Sequence, residues 1–507
     1  MKSNVEKELL EGEYWWGGIV QDGIYMPYNE INFSRDLNKE QLYNQSSPLL
    51  LSDKGRYIWS EKPFSYSFQN NKLTINSNDD IIFSEGHGDL RGAFLDASKS
   101  YFPSDGKIPD SLLFTAPQYN TWIEMMYEPT QEKVLAYANS IIDNGMAPGV
   151  LIIDDNWQED YGVWKFHPGR FPEPGVMIDK LHKMGFKVIL WVCNFISADS
   201  LTSRLIHNNG YLVKDKDGDP AIVKWWNGYS TMLDITNEDA VHWFKEQLDV
   251  LIRELGVDGF KFDAGDLEHY RKNFVCSKSI NGLEYSEKWA QIGLSYSLNE
   301  YRACWKMGGK PLAQRLSDKN HSWEVKGGLG SLISNGLGQG LLGYAFTCPD
   351  MIGGGEYKDF LDIKNIDTEL IVRNAECAAL FPMMQFSIAP WRVLDETHLK
   401  ICVEMAKLHQ KFGEKILKLA KEASISGEPI IRHMEYVFPH KGYSKINDQF
   451  MLGDTILVAP VLVKGAVTKK VVFPEGNWLG DDNSVVNGPC TLIIEAPLER
   501  LPWYEKQ

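Results

Sequence analysis

Val257-Asp258-Gly259-Phe260-Lys261-Phe262-Asp263-Ala264-Gly265-Asp266 begins as an apolar strand and ends in a carboxylate followed by a glycine turn. Phe260 and Phe262 alternate with Lys261 and Asp263. The period of two therefore puts the two charged side chains on one face of the strand. A Lys and an Asp facing inward at the mouth of a strand are costly to bury unless each serves the other or a ligand. The plain alternative is a buried ion pair at a strand end. Asp266, three residues on, reads as a turn or helix-start residue.

Outward from this stretch, apolar runs alternate with amphipathic helical patterns. Eight strands are expected, at 113–119, 150–154, 187–192, 259–263, 311–315, 341–346, 383–388 and 429–432. Helical patterns fall between them, at 132–143, 177–183, 240–255, 287–305, 366–379 and 398–421. Several strands are apolar over successive residues, as strands covered on both faces should be. Eight such units over 111–434 point to a (β/α)8 TIM barrel. The segment at about 195–236, which includes Lys214-Asp215-Lys216-Asp217-Gly218-Asp219, reads as a loop-like insertion on the C-terminal face.

The flanks differ in period. Residues 1–110 show short alternating runs such as Ser65-Tyr66-Ser67-Phe68, broken by Asn, Asp, Gly and Pro, which is an N-terminal β-sandwich pattern. Within them, Trp15-Trp16-Gly17-Gly18 reads either as a core plug or as a flexible loop reaching a neighbouring site. Residues 435–507 return to β structure, expected as a small C-terminal β-sandwich. A chain of 507 residues exceeds what one core serves.

The formal charge of −16 argues against nucleic acid and is compatible with a neutral substrate. The seven cysteines are scattered without a CxxC, which points to free thiols and a cytoplasmic location, a removed leader being the alternative. No run of 18 apolar residues occurs, so no membrane span is expected. Oligomeric state is left open, and a homo-oligomer is compatible.

In a barrel the polar residues at strand C-termini carry function. Here they are Trp122 after strand one, Asp154 and Asp155 after strand two, and Trp191 on strand three. Lys261 and Asp263 lie on strand four, Arg315 with Asp318 on strand five, and Asp350 after strand six. An Asp after a strand is often a helix cap, but acidic or aromatic residues at most of these ends exceed that explanation. Carboxylates with aromatics and few histidines fit a glycosidase-type pocket, two carboxylates for the chemistry and the rest for hydroxyl groups. None of the eleven histidines forms an HxH, so no metal is expected. There is also no GxSxG elbow and no phosphate-binding GxxxxGK[ST] loop, and no cofactor is expected.

Gly259-Phe260-Lys261-Phe262-Asp263 resembles the nucleophile strand of glycoside hydrolase family 31. The blocks Ile153-Asp154-Asp155-Asn156-Trp157, Pro349-Asp350-Met351-Ile352-Gly353-Gly354, Gly427-Glu428-Pro429-Ile430-Ile431-Arg432 and Asp448-Gln449-Phe450-Met451-Leu452-Gly453-Asp454 follow in the family's order. The resemblance implies a retaining, exo-acting α-glycosidase with Asp263 as nucleophile and Lys261 as the cation that keeps it ionised. Arg315-Leu316-Ser317-Asp318 departs from the Gly-Asp pair of many members. It is similar instead to the family's α-galactosidase branch, which implies Asp318 as acid/base and Arg315 as a sugar contact. Pro349 stands where many family α-glucosidases have a His. The expected substrate is therefore a terminal α-galactoside, with Asp154, Asp155, Trp15 and Trp16 around the axial O4. An α-glucosidase or α-xylosidase is the alternative within the family, and a non-catalytic carbohydrate-binding protein the alternative outside it.

Overall fold

The computed structural model describes residues 3–29, 32–38 and 44–507. At its centre, nine short strand segments form one continuous parallel sheet, curled so that its two ends meet. The barrel strands are, in order, Gln118–Asn120, Val150–Ile153, Lys187–Val192, Gly259–Phe262, Leu298–Tyr301, Gln314–Arg315, the broken seventh, and Gln385–Phe386. The seventh is split: Thr347–Cys348 pairs with strand six, and Met351–Ile352 pairs with strand eight. Between the halves stand Pro349, which has no N–H to donate, and Asp350, whose φ of 89° takes it out of strand geometry. Strand eight then closes on strand one through Gln385 opposite Gln118.

Three expectations are corrected. The stretch at 341–346 is no strand, because it closes the helix Leu332–Leu341 and turns into the seventh strand only at Thr347. Leu298–Tyr301 is the fifth, although its sequence reads as part of a helix at 287–305. Its buried polar residues explain the misreading. Asn299 is bonded to backbone carbonyls of Tyr296 and Pro311, and Glu300 to Arg315 and Gln385 inside the barrel. Polar residues satisfied by distant partners look, in sequence, like the wet face of a helix. The segment at 311–315 is accordingly strand six. The stretch at 429–432 is no barrel strand, because Ile431–Arg432 pairs antiparallel with Phe450–Leu452 in the C-terminal sheet.

The helix Glu238–Leu255 delivers the chain to strand four. Asn237 caps its start, and Gly256, with φ of 78°, ends it. Gly259 then lies against strand five so closely that a Cβ would sit 2.0 Å from the Leu298 carbonyl oxygen. Only glycine fits there.

Residues before the barrel form two sheets, one of four strands and one built on Gln45–Ser52. They also carry a 12-residue helix, Leu90–Tyr101, capped by Asp89, which the β reading of 1–110 does not foresee. The second sheet recruits a barrel segment: Cys304–Trp305 pairs parallel with Gln45–Ser46. After the 31-residue helix Glu396–Ser426 the chain ends in a six-stranded antiparallel sheet. The insertion after strand three is ordered into a three-stranded sheet and a helix, Leu201–Asn208, rather than a loop. Among the described residues no helix is long and apolar enough to cross a membrane.

Candidate active site

A pocket of about 450 Å³ opens at the C-terminal ends of the barrel strands. Asp263, Asp318, Asp154, Asp155, Trp191, Lys261, Arg315 and Trp122 all line it. Asp350 does not: it is 2% exposed and lies behind Arg315, bonded to its Nη1 at 2.6 Å and to the Lys319 N–H at 2.8 Å. Trp15 and Trp16 are corrected outright. They are 0% and 2% exposed and belong to a strand paired with Gln45–Ser52. Gly17 packs so tightly on that partner strand that a Cβ would meet the Leu49 carbonyl at 2.1 Å, so the double glycine serves close packing rather than a mobile loop. The pocket wall from the N-terminal domain is Gln21, which donates to Ser317 Oγ at 3.1 Å.

Asp263 follows strand four and is bonded on both oxygens. Trp191 Nε1 donates to Oδ2 at 3.0 Å, and the Ala264 N–H donates to Oδ1 at 2.8 Å. Its ion-pair partner is Arg302, at 3.2 Å, a residue that no pattern in the sequence singles out. Lys261, expected in that role, instead donates to Asp154 at 2.6 Å. Arg302 stands directly after strand five, which the sequence hides, so its position could not be read. A second fork of Arg302 is held by Asp266 through two bonds of 2.8 Å. Asp266 is thus the anchor of Arg302 rather than only a turn residue.

Burial by itself would raise the Asp263 pKa. The charges of Arg302, then Lys261 and Arg315, with the Trp191 N–H, outweigh it and hold this carboxyl well below the usual range. Lys261 therefore helps ionise Asp263 through space while bonding to Asp154. On the other wall Arg315 links three carboxylates: Glu300 at 3.1 Å, Asp318 at 2.5 Å and Asp350 at 2.6 Å. Burial again opposes ionisation of Asp318, and Arg315, Arg302 and Lys261 reverse it to give a lowered pKa. Asp350 goes the other way, pushed up chiefly by burial although Arg315 opposes. The Asp318 side chain is 45% exposed and that of Asp350 is 1% exposed, so only Asp318 is open to the pocket.

Three non-glycine residues with positive φ mark the same strand ends: Asn156, Ala264 and Asp350, at 69°, 60° and 89°. Such conformations cost about 1–3 kcal/mol each and persist where the surroundings impose them. The mouth is aromatic. Trp122, Tyr127 and Tyr357 meet edge to face on one side, and Trp226 of the insertion stands 47% exposed on another. Among the described residues no group of His, Cys, Asp and Glu is placed to hold a metal ion.

The arrangement offers one carboxylate held ionised, a second open to the pocket, and hydrogen-bonding groups with aromatic faces around them. Comparison with known proteins places the chain in a glycosidase family. The glycosyl hydrolases family 31 TIM-barrel domain matches residues 117–408, and the family 31 C-terminal domain matches residues 427–507. Myogenesis-regulating glycosidase of Mus musculus is 32% identical over 410 residues, which are 79% of this chain and 57% of that protein. An alpha-glucosidase of Saccharolobus solfataricus is 25% identical over 426 residues, 74% of this chain and 60% of that one. The chain thus spans less than two thirds of the length of these curated relatives. The Flavobacterium johnsoniae GH31 dextranase FjDex31A, complexed with glucose, superposes with a TM-score of 0.88 at 21% identity, covering 100% of this chain and 66% of that one. That likeness is one of fold.

Proposed function

Because the chain belongs to glycoside hydrolase family 31, we propose that it is a retaining, exo-acting α-galactosidase that removes terminal α-galactosides through a covalent glycosyl-enzyme intermediate. The observation that carries this reading is the pairing of unlike carboxylates in one pocket. Asp263 is held ionised by Arg302 and fixed by Trp191, and Asp318 is open to the mouth.

In the first step Asp263 attacks the anomeric carbon and the glycosidic bond breaks as Asp318 gives its proton to the leaving oxygen. In the second, Asp318 takes a proton from water, the water oxygen bonds to the anomeric carbon, and Asp263 leaves as a carboxylate. Asp318 must carry a proton to begin, and Arg315 disfavours that. Asp318 and Asp350 share Arg315 Nη1, so the two carboxyls titrate as a pair.

The case for a galactoside rests on the Pro349-Asp350 block and the Arg315–Asp318 spacing, which resemble the family's α-galactosidase branch. An α-glucosidase or α-xylosidase is the second reading, since an alpha-glucosidase is among the relatives. The test is turnover of p-nitrophenyl α-galactoside, α-glucoside and α-xyloside by wild type and Asp263→Ala. Galactoside turnover that Asp263→Ala abolishes is expected. Glucoside turnover well above galactoside would overturn the substrate, and turnover of none would favour a non-catalytic sugar-binding protein. Asp318→Ala should keep more activity on substrates with good leaving groups and recover with azide. Wild-type behaviour of Asp318→Ala would place the acid elsewhere.

A further inference from the structure

The insertion reaches the pocket through the tip of one hairpin. Trp225 and Gly228 face each other across its ladder, leaving Trp226-Asn227 as a two-residue turn closed by Gly228 at φ of 99°. The two tip residues do different things. Trp226 lines the pocket with its ring half exposed. Asn227 is tied to the barrel. Its Nδ2 donates to Asp155 Oδ2 at 2.6 Å and to the Tyr161 hydroxyl oxygen at 2.8 Å, and its Oδ1 accepts from the Tyr127 hydroxyl at 2.9 Å. The Tyr161 hydroxyl donates in turn to Asp155 Oδ1 at 3.0 Å.

Asp155 is 2% exposed yet lines the pocket. An ionised carboxylate accepts about four hydrogen bonds, and Asn227, Tyr161 and the Asn156 N–H supply three, so one acceptor position remains. We propose that Asn227 is a positioning residue for sugar recognition. It fixes the Asp155 carboxylate as an ionised acceptor for a sugar hydroxyl, and the same anchor holds Trp226 over the mouth where the leaving group sits. This rests on the pocket being a glycoside site and not on which sugar it prefers.

The groups facing Asp155 are Asp154, Tyr161, Tyr127, Cys193 and Asn227. Burial, then the Asp154 charge, push its pKa up to about 7, against the hydrogen bonds from Tyr161, Asn227 and the Asn156 N–H. Removing the Asn227 donor raises it further. The ionised form is present above this pKa, so sugar binding is lost as pH falls through it, and in the variant the loss begins at higher pH.

The experiment uses the full chain and whichever nitrophenyl glycoside the wild type turns over best. Asn227→Leu should raise KM about tenfold near neutral pH, the fold-change carried by a hydrogen bond to a charged group, with kcat within about twofold. The acidic limb of kcat/KM should move up by roughly one pH unit. Tyr127→Phe loses only the bond to Asn227 and should move the limb the same way by less, which decides the matter if Asn227→Leu does not fold. Trp226→Ala should raise KM without moving the limb. A wild-type limb in both Asn227→Leu and Tyr127→Phe overturns the proposal, as does a fall in kcat with the limb unmoved. If the wild type turns over no glycoside, the enzymatic reading fails instead. The pH midpoint of binding of whichever of galactose, glucose and xylose binds tightest, followed by tryptophan fluorescence in the same variants, then decides this one.

Discussion

Asp263 is buried among groups that favour its charge, and Arg302 is the cation paired with it. Replacing that guanidinium should therefore show in pH dependence. Arg302→Gln is expected to add a second protonation to the acidic limb of kcat/KM, below the one that Asp155 sets, because the Asp263 pKa rises toward the ordinary carboxylate range once its opposite charge is gone. The added loss is largest at the acidic end of the profile and shrinks as pH rises. A pH–rate profile without the second protonation would show that Lys261 and Arg315 suffice. Asp263, Asp318 and most of the other residues that line the pocket were legible as residue types at strand ends. Arg302, Asn227 and Gln21 were not, because each acts from a segment whose local pattern says nothing about the barrel.

At the scale of elements, the segment that carries Arg302 is held between two domains. It leaves barrel strand five and enters the N-terminal sheet at Cys304–Trp305. Gln45, opposite Cys304, donates to the backbone carbonyls of Arg302 at 2.7 Å and Arg315 at 3.0 Å, and accepts from Gln339. One buried amide thus supports the backbone of both site arginines. Gln45→Leu leaves those groups unpaired and should cost about 1–3 kcal/mol of stability, read by urea denaturation. Its kcat should fall more than its KM rises, since the loss falls on geometry around Asp263 and Asp318. A destabilised variant with unchanged kcat would show that the two arginines do not depend on this support. Strand five escaped the sequence reading for the same reason that it matters: its polar residues are buried and satisfied by distant partners.

In the whole molecule, the barrel and the C-terminal sheet are joined by an arginine rather than by apolar contact alone. Arg373 is 1% exposed on the helix Thr368–Ala379. It donates to Glu376 at 2.9 Å and to the carbonyls of Ala466 and Ala496, each at 2.9 Å. Arg373→Ala orphans these buried acceptors and should cost about 3 kcal/mol. Thermal unfolding followed by far-UV circular dichroism and by tryptophan fluorescence should then separate into two transitions, where one is expected for the wild type. Glu376 is pushed up to about 8 by burial, Arg373 opposing. Its folded pKa exceeds the unfolded value, so its contribution to stability is full below about pH 4.5 and is lost as pH rises toward 8. Glu376→Gln should flatten the fall in unfolding midpoint across that window, and an unchanged slope would assign the pH dependence to other groups.

The sequence by itself determined the barrel, the strand that presents Asp263, and the family. The barrel and the strand depend on local signals, a period of two, apolar runs between helices and carboxylates at strand ends, and the family on the motif blocks that resemble it. Tertiary structure alone decided which cation serves which carboxylate, where strand five runs, and that the Trp15-Trp16 pair is core while Trp226 and Gln21 face the pocket. The physical reason is that a buried polar group is defined by its partners. Arg302 and Asp263 are 39 residues apart in the chain, and Lys261 and Asp154 are 107 apart. No periodicity in the sequence records which of several nearby charges a folded backbone brings within hydrogen-bond distance.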